Sequence, residues 1–129
     1  MPRHFTFAAT LALLSLPLAA CSAGNVHTNR GFAALSKTHY ADAESELKLA
    51  LQDNPNDPFA LLNMGAVLQN TGRGQQAVPY YLRVQAEAKH VYPQRTSGDT
   101  SARHSLAEIA TQNLTKLAAN DSSIRVTAN

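Results

Sequence analysis

Residues 61–72 read LLNMGAVLQNTG. Leu61, Met64, Val67 and Leu68 recur at helical spacing, and Gly65 interrupts the run. An interior glycine costs a helix about 1 kcal/mol relative to alanine. A short helix accepts that cost where a neighbouring segment must approach more closely than a side chain allows. The same setting occurs earlier, at Gly31 in VHTNRGFAALSK, residues 26–37.

Shifting the chain against itself by 34 residues pairs Asn29 with Asn63, Gly31 with Gly65, and Ala43 with Ala77. Apolar periodicity predicts helices over residues 26–37, 40–53, 58–70 and 75–90. Between the second and third, DNPNDP supplies turn chemistry, and Pro58 suits the first turn of the helix it opens. Pro79 lies close to Gly74, which places it near the start of the fourth helix, where proline is tolerated.

This pattern resembles the tetratricopeptide repeat, whose unit has the same length. That family wants a small residue at its eighth position and alanine at its twentieth. Numbering from Gly24 and from Pro58 puts the paired glycines and alanines there. Leu47 and Tyr81 fall on the large twenty-fourth position, and Ala50 and Val84 on the twenty-seventh. Pro55 occupies the terminal proline position of the first repeat, and Gly72 the turn glycine of the second. His27 and Arg30 stand where large apolar residues are usual, a departure that a first helix with no preceding repeat accommodates. Lys89 replaces the second terminal proline, so the fourth helix is expected to run on.

The resemblance implies an all-α fold, a short α-solenoid of two tetratricopeptide helix-turn-helix repeats over residues 26–91. Each glycine would face the alanine of its own hairpin. Residues 92–100 read as a loop. Residues 101–120 carry Leu106, Ile109, Ala110, Leu114 and Leu117 on one face of an amphipathic helix. That helix either caps the array or docks a partner, and residues 121–129 read as a frayed tail.

The N-terminus has its own signature. MPRHFTFAATLALLSLPLAAC combines a basic start, a short apolar core and a small-residue end, as a secretory signal over residues 1–20 does. Leu18-Ala19-Ala20-Cys21 resembles the lipobox of bacterial lipoproteins, which implies lipidation of Cys21, the single cysteine. The alternative is an ordinary signal cleaved after Ala20 that leaves a free thiol. Two or more acyl chains anchor a protein stably. Ser22 then implies sorting to the periplasmic face of the outer membrane. Residues 21–25 would form a tether of roughly 17 Å at full extension.

With 129 residues, 44% hydrophobic and 16% charged, the chain forms one domain at most. Cleavage removes Arg3 and leaves ten basic residues against nine acidic ones, which gives no basis for nucleic-acid binding. Asp42, Glu44, Glu46, Asp53 and Asp57 fall early, and Arg73, Arg83, Lys89, Arg95 and Arg103 fall late. Two solvated faces or a binding surface both fit that asymmetry. No HExxH, CxxC, GxSxG or phosphate-cradling loop occurs. No catalytic residue, metal ligand set or cofactor is expected, and the chain reads as a non-enzyme.

In the family, the first helices of successive repeats line a partner-binding groove. The resemblance places Thr28, Asn29, Phe32, Phe59, Leu62, Asn63, Ala66 and Gln69 there. Asn29 and Asn63 offer carboxamides that can both donate to and accept from a peptide main chain. The expected function is a lipid-anchored adaptor of the bacterial cell envelope. It would bind a protein or extended peptide during secretion, pilus or other envelope assembly. The alternative is a structural subunit permanently packed in an envelope complex. Two repeats are a small array, and homo-oligomerisation would add stability.

Overall fold

In the computed structural model, which describes residues 20–93 and 104–121, every regular element is an α-helix. They are α1 (Ala20–Ser36), α2 (Tyr40–Asp53), α3 (Pro58–Asn70), α4 (Gly74–Glu87) and α5 (Leu106–Asn120). Residues 1–19 of the signal expected over 1–20, most of the loop, residues 101–103 of the expected C-terminal helix and the tail beyond residue 121 lie outside the described residues. Among the described residues, no helix is long and apolar enough to cross a membrane.

Local chemistry sets the helix ends. Asp57 caps α3, accepting from the backbone N–H groups of Phe59 and Ala60 at 3.0 and 3.3 Å, with Pro58 in the first turn. Ser105 and Glu108 form a reciprocal capping box that starts α5 at Leu106 rather than at residue 101. Both α1 and α3 end in the same turn. The His39 N–H reaches Ala34 O at 3.0 Å and Thr38 N–H reaches Leu35 O at 2.9 Å; Arg73 N–H reaches Leu68 O at 2.8 Å and Gly72 N–H reaches Gln69 O at 3.2 Å. The turn needs a left-handed residue. Gly72 supplies it at φ +76°, whereas Thr38 is forced there at φ +60°.

Short connections fold α1 onto α2 and α3 onto α4 as antiparallel hairpins. The hairpins keep one spacing: Ser36 and Asn70, Tyr40 and Gly74, Asp53 and Glu87 are each 34 residues apart. The fourth helix therefore stops where α2 does, at Glu87, and does not run on to residue 90. Pro79 is the sixth residue of α4, within its second turn and exposed. The first helix begins at Ala20 instead of residue 26, so the stretch expected as an extended tether has helical backbone. No proline interrupts residues 20–36, and a helix already nucleated by its hairpin extends cheaply toward the N-terminus.

The core joins the two hairpins. Ala43, Leu47 and Ala50 of α2, Leu61, Met64 and Val67 of α3, and Ala77, Tyr81 and Val84 of α4 are all buried. Each glycine sits over a large side chain of its partner helix. A Cβ built on Gly65 would stand 2.6 Å from Tyr81 Cε1, and one on Gly31 would stand 2.6 Å from Leu47 Cγ. The alanine contact expected from sequence is secondary: Ala43 enters through its carbonyl oxygen, 3.4 Å from the Gly31 Cβ position, and all three nearest atoms to Gly65 belong to Tyr81. The glycines make room for Leu47 and Tyr81.

α5 packs on α4 and also reaches α3, burying Leu106, Ala107, Ala110, Leu114 and Leu117, with Ile109 half-buried beside them. Its opposite face, with Glu108, Gln112, Thr115 and Lys116, is exposed. Gln85 of α4 donates to the Thr111 hydroxyl at 2.9 Å across this contact.

Candidate functional site

The face shared by α1 and α3 is the candidate interaction site. α3 buries Leu61, Met64, Gly65 and Leu68 toward its neighbours and leaves a half-exposed stripe of Phe59, Leu62, Asn63 and Ala66. Their spacing of three and four residues puts them on one side of the helix. On α1 the matching stripe is Asn29, Phe32 and Ser36, all exposed. Phe32 is 59% exposed, the largest fraction among the exposed large apolar side chains.

Two residues expected on this face have other roles. Thr28 is buried, and its hydroxyl donates to Asp57 Oδ2 at 2.5 Å. It forms the floor between α1 and the start of α3 and is not a lining residue. Gln69 turns toward α4, where its Oε1 accepts from the Tyr81 hydroxyl at 2.8 Å. Burial pushes the Tyr81 phenol well above the ordinary tyrosine range, and a hydrogen bond with Asn113 of α5 acts against that shift. Gln69 thus serves a buried hydroxyl that most large apolar residues at this position would lack.

Asn29 and Asn63 remain. Among the described residues neither carboxamide is engaged by a side-chain partner, so each keeps two donor hydrogens and an acceptor oxygen. The stripe formed by Asn29, Phe32, Phe59, Leu62, Asn63 and Ala66 carries no formal charge. It offers amide contacts between apolar surfaces. Carboxamides so placed can both donate to and accept from a peptide main chain.

Away from this face, charged residues tie neighbouring elements together. Arg73, at the start of α4, donates to both carboxylate oxygens of Glu44 in α2, at 2.6 and 3.3 Å. Hydrogen bonds from Arg73 and then from Lys48 lower the Glu44 pKa from 4.5 to about 2. Arg83 of α4 donates to Pro55 O at 2.8 Å and to Asn56 Oδ1 at 2.6 Å in the α2–α3 connection. His27 Nδ1 lies 2.6 Å from Glu46 Oε2 across the first hairpin. Part of the early-acidic, late-basic asymmetry is therefore internal pairing between consecutive hairpins.

The residue that sequence reasoning overlooked is Asp57. An aspartate directly before a proline that opens a helix is an N-cap signal. What could not be foreseen is that its second oxygen would receive Thr28. Among the described residues, no group of His, Cys, Asp and Glu could hold a metal ion. Compared with protein-family models, curated proteins and solved structures, the chain matches none.

Proposed function

We propose that the chain is a lipid-anchored adaptor of the bacterial cell envelope, built from two tetratricopeptide repeats and a capping helix, and without enzymatic activity. Its open α1–α3 face would hold an extended segment of a partner protein near the membrane, in secretion, pilus or other envelope assembly. Cys21, the second residue of α1, would carry the lipid and fix the chain at the periplasmic face of the outer membrane.

The observation that carries the proposal is recurrence. One 34-residue period separates the two packing glycines, the two left-handed turns and the two exposed or half-exposed asparagines. A solenoid of hairpins buries one side of each first helix and leaves the other open, and binding surfaces of such arrays lie on that concave side.

The test is a pull-down of the full chain from detergent-solubilised envelopes, compared with the Asn29→Ala/Asn63→Ala variant. The variant should lose partners that the native chain retains, and identical recovery from both rejects the groove. Incorporation of a palmitate analogue tests the anchor separately, and Cys21→Ser must abolish it. A native chain that stays monodisperse alone supports an adaptor, and one that aggregates without its neighbours favours a permanently packed subunit.

A further inference from the structure

We propose that Thr28 is a positioning residue for the α1–α3 face, setting through Asp57 the distance between the Asn29 and Asn63 carboxamides. Its functional consequence rests on the reading of that face as a partner groove. The geometry itself does not.

Asp57 is a buried carboxylate in full use. One oxygen, Oδ1, caps α3 by accepting from Phe59 and Ala60 N–H, and the other, Oδ2, accepts from the Thr28 hydroxyl. The helix N-terminus favours its negative charge. The first contact fixes Asp57 to α3, and the second fixes α1 to Asp57. Thr28 immediately precedes Asn29, and Asp57 lies six residues before Asn63 on the element it caps. This buried bond therefore links the two backbones that carry the amides. The other polar ties between the hairpins act elsewhere: Glu44 with Arg73 joins α2 to α4, and Arg83 joins α4 to the α2–α3 connection.

Replacing the hydroxyl with a methyl would leave Oδ2 facing an apolar group in a buried position. A buried acceptor without a donor is relieved by admitting water. Water admitted between Asp57 and residue 28 would move α1 off the start of α3. The expected result is a changed Asn29–Asn63 separation in a chain that is still helical.

The experiment measures that separation by spin labels on the full chain in detergent, using Asn29→Cys and Asn63→Cys with Cys21→Ser. Thr28→Val should shift and broaden the distance distribution, and Thr28→Ser, which keeps the hydroxyl, should restore it. If Thr28→Val loses its helical circular dichroism, Asp57→Asn decides: asparagine still caps a helix but offers Thr28 a weaker, uncharged partner. A distribution unchanged in Thr28→Val, or in Asp57→Asn where that variant decides, overturns the proposal, whatever the pull-down finds. A shifted distribution together with an unaffected Asn29→Ala/Asn63→Ala pull-down would leave the positioning intact and remove the groove.

Discussion

Gly65→Ala sets two well-measured effects against each other. Helix propensity favours alanine by about 1 kcal/mol at an interior position. Packing opposes it. The added Cβ would stand 2.6 Å from Tyr81 Cε1 and 2.9 Å from both Cδ1 and Cζ. The shortest of these falls about 0.9 Å inside the roughly 3.5 Å at which carbon atoms normally meet. Tyr81 cannot swing aside cheaply, because its ring is fully buried and its hydroxyl is held by Gln69. α3 and α4 must part instead, and overpacking of this kind costs about 1–3 kcal/mol beyond the propensity gain. The expected net loss is therefore about 1–3 kcal/mol, a fall in melting temperature of roughly 4–20 °C. Urea unfolding followed by far-UV circular dichroism measures it. Tyr81→Leu, combined with Gly65→Ala in a double-mutant cycle, should recover at least about 1 kcal/mol of the glycine substitution's cost. A Gly65→Ala chain as stable as the native one would refute the packing account, because propensity would then have won.

Thr38→Gly should stabilise the chain by about 1 kcal/mol, since a β-branched residue at φ +60° is strained where Gly72 is at ease in the equivalent turn; thermal melting reports it. Pro79→Ala should add about 2 kcal/mol by restoring an N–H in the second turn of α4, and a loss of stability would show that the proline shapes the helix usefully. The Glu44 carboxyl titrates at about 2 in the folded chain and near 4.5 when unfolded, so the unfolded chain binds more protons between those values. Stability from this group is complete above pH 4.5 and is lost as pH falls toward 2. Because the pair is partly solvated, Glu44→Gln should cost about 1 kcal/mol at neutral pH and flatten the acid limb of the stability–pH curve.

The helical fold was legible because one period wrote it twice. Gly31 and Gly65 announce close packing through the propensity they sacrifice, and the tight contacts at Leu47 and Tyr81 account for that sacrifice. The identity of the residue above each glycine was less legible. Alanine seemed the natural partner of glycine, but a gap left by one small residue can be filled by a large one from across the hairpin. Thr28 and Gln69 were misplaced for a different reason. Helical periodicity assigns a side chain to a flank, and a polar side chain at the edge of that flank turns inward wherever a buried group needs it. Asp57 needs a donor and Tyr81 needs an acceptor, and both needs arise from elements distant in sequence.

The two ends of the helical stack are finished in opposite ways, and this accounts for polar residues in α1 where α3, one 34-residue period later, has apolar ones. His27, Arg30 and Ala34 stand one period before Leu61, Met64 and Leu68. The later three are buried because α2 packs over α3. Among the described residues, α1 packs only on α2 and α3, so Arg30 is exposed and His27 is half-buried beside Glu46. Apolar residues there would have exposed about 25 cal/mol of unfavourable contact with water for each Å². At the other end α4 is covered by α5, which turns apolar residues inward and polar ones outward. A residue's apolarity in this chain thus reports the neighbour that covers it more than the repeat position it fills. By the same rule Phe32, like the exposed Val26, Leu49 and Tyr92, is an exception, and it is the most exposed of the four. Its burial by a bound segment would recover the free energy that its exposure costs, which favours the α1–α3 face over the polar outer surface of α5 as the proposed docking surface.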